Sequence, residues 1–378
     1  MGLASHAGVI AATELVDRAP LADVLERGAP VWDDVVRGAG CASPFMSWAW
    51  HRAWADAALP AETSASEVLT LQDSSGSVQA LLPVRHSRVR FRRIWVQALT
   101  WAIGDMGCPD ELDVPSLPGA DVGALAAAID ELPWQIIILP NLVEGAPNAH
   151  RLSAALQERG HSVRQHPLWS CPRLELPASW DDYVGTLSPN RRQIVRRKER
   201  SLRRDHAVAL VDYDEAMLNT GWGHLLALHE RRWNGAGGGA FRDSRTVQLQ
   251  RQFAGEMARQ RRLWLTTLDI DGQPGAVWYG FASEDTVYFY QGGRDPRWQR
   301  ESVGLVLMSL MIQRAIARGY RFFSFLRGDD DYKSSWMATP RMTGELVVFR
   351  AGWTGRCLRV LDRVAAFRGV GGGQPRSD

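Results

Sequence analysis

Apolar and polar positions follow two periods along this chain, and the switches between them mark out its elements. From residue 43 to 58 a Ser-Pro start leads into Phe45, Trp48, Ala49 and Ala53 at helical spacing, which predicts a helix. Residues 68–71 and 78–84 are β-rich runs around Asp73-Ser-Ser-Gly76 and read as a hairpin. Strands follow at 94–100 and 134–139, and helices at 122–132 and 150–159, the second closed by Gly160. The later half runs in similar order, with helices at 179–187, 188–204 and 217–233 around a strand at 207–212. Strands at 263–270, 275–282 and 286–291 form an antiparallel meander, then an apolar helix spans 302–318 and stops at Gly319. A last pair of strands is expected at 321–326 and 345–350. Both halves therefore carry a helix, an antiparallel hairpin, then strand, helix and strand. The expected fold class is α/β (α+β), with two related modules at 1–177 and 178–366 and a disordered tail at 367–378.

Composition agrees with that size. At roughly 150 residues per domain, 378 residues suggest two domains, and 45% hydrophobic content supplies their cores. The net charge is only +2, so whole-molecule electrostatics nominates neither nucleic acid nor an anionic membrane. The longest apolar run, 303–312, is half a membrane span, and the first residues lack a signal-peptide pattern, so a cytoplasmic protein is expected. Cys41, Cys108, Cys171 and Cys357 lie far apart, and no H-E-x-x-H pattern occurs, so reduced thiols and no metal are expected. Most of the sixteen tryptophans read as core filler.

The candidate chemistry starts at Gly292-Gly-Arg-Asp-Pro-Arg-Trp-Gln-Arg-Glu-Ser-Val-Gly304, between a strand and a helix. Unpaired N–H groups at a helix start carry partial positive charge, so phosphates that approach them are held without a lysine cluster. Gly304 permits that approach, Ser302 is a candidate cap, and Arg297 and Arg300 are candidate phosphate donors. The run Gln299, Arg300, Glu301, Ser302, Val303, Gly304 resembles the pyrophosphate loop of the GNAT superfamily of acyl-CoA-dependent transferases, with Ser302 in place of its first glycine. Leu228-His229, Arg232-Trp233, Gly293-Arg-Asp-Pro296, Ser302-Val-Gly304, Gly319, Phe325-Leu-Arg-Gly-Asp-Asp-Asp-Tyr-Lys333 and Trp336 resemble, in that order, the CelD/BcsL-type acetyltransferases of bacterial cellulose and exopolysaccharide clusters. That GNAT branch is similar to the FemAB-like tandem transferases. The resemblance covers about residues 180 to 350, and Ser324 stands where members usually carry Asp.

The resemblance implies two GNAT-like modules, the first degenerate, and an acetyl-CoA or other acyl-CoA bound by Gln299, Arg300, Ser302, Val303 and Gly304. It places the catalytic candidates at His229, Tyr332, Lys333 and Asp329. In this reading His229 is the base, Tyr332 the proton donor to the leaving thiolate, and Lys333 a charge stabiliser or phosphate holder. Asp329 or Asp330 holds the acceptor or acts as base, and Arg232, Trp233, Asp295, Arg327 and Trp336 join Asp330 as acceptor-side candidates. The implied acceptor is a sugar, an envelope component or a small metabolite. A second reading rests on the helix at 190–204, whose eight basic residues against Glu199 give +7 in a chain totalling +2. Such a helix is a candidate contact for tRNA in a FemAB-like aminoacyl transferase, or for nucleic acid on a non-catalytic scaffold, and is otherwise a solvated face.

Overall fold

A computed structural model describes residues 15–41, 43–233, 240–328 and 331–367. The chain opens with β1 (Leu15–Pro20), α1 (Leu21–Glu26), α2 (Ala29–Gly38), α3 (Trp48–Ala57) and α4 (Pro60–Ser64). Strands β2 (Ser66–Gln72), β3 (Val78–Phe91) and β4 (Ile94–Trp101) follow, then α5 (Val122–Asp130), β5 (Ile136–Leu142), α6 (Pro147–Glu158), β6 (Ser162–Ser170) and β7 (Arg173–Glu175). Next come α7 (Trp180–Thr186), α8 (Pro189–Asp205), β8 (Val208–Asp212), α9 (Leu218–Trp233) and α10 (Ser244–Arg259). The meander is β9 (Leu263–Ile270), β10 (Gln273–Ser283) and β11 (Thr286–Arg294), followed by α11 (Val303–Ala317) and β12 (Phe322–Ser324). The last elements are α12 (Asp331–Ser334), β13 (Met342–Phe349) and α13 (Trp353–Phe367).

These strands build two mixed sheets flanked by helices, ordered β1-β2-β3-β4-β5-β13-β6 and β7-β12-β11-β10-β9-β8. Each sheet has one parallel pair, β4 with β5 and β11 with β12, and each pair is joined through a helix, α5 or α11. The sheets exchange strands across residue 177. β7 pairs with β12 at the edge of the second sheet, and β13 lies between β5 and β6 in the first. The expected pairing of 321–326 with 345–350 is thus corrected, because those segments belong to different sheets.

Other corrections are local. Ser43-Pro44 starts a single 3₁₀ turn, and α3 is capped instead by Ser47, whose side chain accepts from the Trp50 amide. β1, α1, α2, β6, β7, α10, α12 and α13 had not been expected. Gly160 and Gly319 do end their helices, at φ +86° and +76°. The tryptophans are mostly filler: Trp50, Trp54, Trp101, Trp278 and Trp336 are fully buried. The four cysteines are free thiols. The expected tail lies outside the described residues, as does the run Gly235-Ala-Gly-Gly-Gly239, which reads from sequence as a loop over the cleft or a plain linker.

One core cluster spans both halves, with Phe45 and Trp50 of the first edge-on to Phe281 and Phe253 of the second. A second cluster fills the space between α11, α8 and the other face of the second sheet.

Candidate active site between two diverging strands

β11 and β12 pair only from Thr286–Phe322 to Tyr288–Ser324. Past that point β11 continues along β10 to Arg294, while the chain beyond β12 turns off and Phe325 donates its amide to Pro172. The two strands therefore open into a wedge. A β-bulge marks its mouth: Tyr279 pairs with Gln291 and Gly280 with Phe289, leaving Tyr290 as the extra residue. Gly280 allows this bend, because a Cβ there would lie 1.9 Å from the Tyr288 carbonyl oxygen.

The start of α11 closes one side of the wedge and leaves a cavity of about 270 Å³. It is lined by Phe289, Gly292 and Gly293 of β11, by Gly304 and Met308 of α11, and by Tyr332 and Trp336 beyond β12. Arg191, Arg232 and Arg294 also line it, and no acidic residue among the described ones does. Arg232 donates to the Gly292 carbonyl at 3.2 Å, and Arg191 stacks on the Trp336 ring at 4.2 Å. The Arg294 side chain is exposed and passes 3.7 Å from where a Cβ on Gly304 would be, so it reaches over the helix start. Three guanidinium groups thus line one cavity that the start of α11 borders, a basic lining that suits an anionic group. A larger cavity of about 460 Å³ lies at the far end of β10, but its Arg37 and Arg262 already face Glu284 at 3.9 and 3.7 Å.

Ser302 does not cap α11. It adopts the left-handed conformation at φ +60°, without a side-chain cap bond, and its carbonyl accepts from Leu305 and Val306. The glycine of the loop pattern is the residue that takes this conformation at least cost. Val303 is buried in the core. Gln299 and Arg300 are exposed on the preceding turn, where the Arg300 carbonyl accepts from Lys198. Of the five expected cofactor residues, Gly304 alone lines the cavity.

Among the other expected residues, Arg232, Tyr332 and Trp336 meet at the cavity. His229 is 4% exposed, edge-on to Phe241 at 4.9 Å and hydrogen-bonded to Gln291. Burial first, and Arg232 second, lower its pKa to about 4, so it stays neutral and weakly basic. The nearby geometry is set by backbone contact: a Cβ on Gly293 would meet the His229 amide nitrogen and Leu228 carbonyl carbon at 2.3 Å. Asp295 accepts from the amide and side chain of Arg297 and from Arg231, which hold its carboxyl below the usual range. It pins a turn and does not face the cavity.

Lys333 is buried and donates to the carbonyls of Leu326, Arg327 and Gly328 at 3.3, 2.8 and 3.1 Å. Its place is therefore inside the rim that carries Tyr332, a correction to the expected phosphate contact. Arg327 turns toward the first half, bonding Asp110 through its amide and Nε and Asp105 through Nη2. Asp329, Asp330 and the side chain of Trp233 lie outside the described residues.

Two neighbours from the first half went unrecognised in the sequence. Asp110 is buried against Arg327, and Glu111 accepts from the Ser324 hydroxyl at 3.2 Å, so a carboxylate does stand beside Ser324. Neither lies in a motif. Arg191 and Arg294 were within stretches already singled out, the basic helix and the glycine-rich loop, but spacing alone could not aim them.

Residues 189–334 match an acetyltransferase (GNAT) domain. The matched segment runs from α8 to α12 and contains every described residue that lines the cavity except Trp336. No curated protein sequence matches the chain. Among solved structures, the C-terminal domain of a protein described as a lysylphosphatidylglycerol synthetase from Agrobacterium fabrum aligns at 11% identity and TM-score 0.53, over 91% of this chain and 96% of that one. FemX aligns at 10% identity and TM-score 0.53, over 82% and 92%. A conserved protein of unknown function from Bacteroides thetaiotaomicron aligns at 11% and TM-score 0.54, over 89% and 100%. At such identities the likeness is one of fold.

Proposed function

We propose that the protein is an acyltransferase that takes its acyl group from an acyl-CoA, acetyl-CoA first among them, and passes it to an amine or hydroxyl. The observation that carries this reading is the cavity itself: three arginines and a glycine-lined helix start at one end, and Tyr332 at the rim. The diphosphate of the donor would lie on the α11 amides beside Arg294, with the thioester in the wedge by the Tyr290 bulge. Attack by the acceptor forms the new acyl bond and breaks the C–S bond; the thiolate takes a proton from Tyr332, and the proton that the acceptor gives up passes to solvent water, from which Tyr332 regains its own. The acceptor class follows the family resemblance: a sugar, an envelope component or a small metabolite, as in the CelD/BcsL-type enzymes.

Calorimetric titration with acetyl-CoA tests the donor. Saturation at about 100 times the dissociation constant should stabilise the protein by about 2.7 kcal/mol. Replacing Arg191, Arg232 or Arg294 by Ala should each weaken binding roughly tenfold. Absence of any heat or thermal shift with acetyl-CoA and longer acyl-CoAs would remove the proposal. The basic α8 beside the cavity supports a second reading, an aminoacyl-tRNA donor, which predicts salt-sensitive tRNA binding in place of CoA binding.

A further inference from the structure

The wedge leaves one feature of the opposite sheet unused. Six of the twelve large hydrophobic side chains exposed among the described residues gather around α13 and the β3–β4 arm. On α13, Trp353, Val360, Leu361 and Val364 recur at helical spacing and are exposed, Trp353 at 81%. Another edge of that helix is buried on the first sheet through Leu358, beside Val96, Ala98 and Phe349. The apolar arc of the helix therefore runs from this buried edge round to a face that stays exposed among the described residues. Beside it the arm carries Ile94 and Trp95 at its tip, both exposed, and Arg92 joins the two elements through Asp362 at 3.0 Å.

The two segments that carry this apolar surface are themselves strongly basic, with Glu62 facing Arg85 at 3.4 Å and Asp130 bonded to His161 beside Ala351 among the nearby acids of other elements. Residues 85–101 and 351–367 contain eight arginines and a single acid, Asp362, which is buried and already paired with Arg92 and Arg164. The arm ends in a two-residue turn made by Arg92 and Arg93, at φ +47° and +71°. Such a turn favours Asn-Gly, and a longer side chain in the left-handed region carries a strain cost. Arginine stands there against local preference, at the turn that ends the arm.

We propose that the outer face of α13 and the tip of the β3–β4 arm form a docking surface for an anionic lipid bilayer. Apolar side chains with a tryptophan at the helix start enter the acyl boundary, while the arginines meet headgroup phosphates, the combination of two weak signals that gives stable attachment. No helix among the described residues is long and apolar enough to cross a membrane. The proposal is independent of the acyl donor.

Flotation of the full chain with phosphatidylcholine vesicles, with and without about one-third phosphatidylglycerol, is the test. Binding is expected to the anionic vesicles only, and to fall sharply at about 1 M salt, where the Debye length is roughly 3 Å. Trp353→Ser with Val360→Ser should abolish it without changing thermal stability, since both side chains are exposed. Arg93→Gly should weaken it roughly 5-fold while leaving stability equal or higher, because Arg93 is exposed and glycine suits its left-handed position. Equal binding to neutral vesicles, no binding to either, or unchanged binding by the Arg93→Gly variant would overturn the proposal. So would a dimer in sedimentation that the Trp353 and Val360 substitutions turn into monomers, which would assign the surface to a second copy.

Discussion

Ser302 holds the left-handed conformation with a side chain, at the head of α11. Ser302→Gly should relieve that strain and, against the backbone entropy of glycine, raise stability by about 1 kcal/mol in thermal denaturation. Glu111 also has positive φ, at +56°, and is buried against Ser324. Burial first, and neighbouring Asp110 next, push its carboxyl up from 4.5 to about 7. Arg173, Arg341 and the Ser324 hydroxyl act the other way, and Tyr288 also lies close by. The folded protein keeps this proton where the unfolded chain has lost it, so stability from this group falls as pH rises from about 4.5 to 7, and levels off above. The full effect is roughly 3 kcal/mol, and Glu111→Gln should flatten that part of a stability-pH curve. Tyr332→Phe should lower kcat by roughly 100-fold or more while acetyl-CoA affinity stays nearly constant, a split that steady-state kinetics with an accepted substrate measures.

At the scale of elements, the meander and the apolar α11 were legible because their runs are long and their turns carry Asp-Gly and Gly signals. α10 was not: Asp243 caps it well, but its buried Leu249, Phe253 and Met257 sit among arginines and glutamines that mask the period. α13 was not read for another reason: its apolar residues do share one stripe, but Arg356, Arg359 and Arg363 interrupt them along the sequence. The site was read in part for a similar reason. Gly304, Arg232, Tyr332 and Trp336 belong to motifs, whereas Arg191 and Glu111 reach their places only through the packing of helix α8 and a long loop. Contact between α9 and β11 is the element on which the wedge depends. Gly293→Ala would push the backbone of α9 away, costing about 1–3 kcal/mol by overpacking, and should weaken acetyl-CoA binding because α9 carries Arg232. Thermal denaturation and calorimetry together check both outcomes.

For the whole molecule, the exchanged strands make the two sheets one folding unit. Expressed apart, segments 1–177 and 178–378 would each lack a strand of their own sheet. The first would leave β5 and β6 with an open slot, and the second would lose β7 from beside β12. Neither segment should give a cooperative transition in circular dichroism, while co-expression should restore a soluble pair. The long loop after β4 adds to this union: Tyr290 donates to the Gly107 carbonyl, and Asp110 holds Arg327. The place of β13 also bears on biosynthesis. A ribosome releases β5 and β6 first, but the strand that belongs between them emerges only after α7 to α12 and the whole second sheet have been made, so the nascent amino-terminal half waits with two unfilled edges. Its yield in a cell should depend on chaperones that shield those edges until β13 arrives.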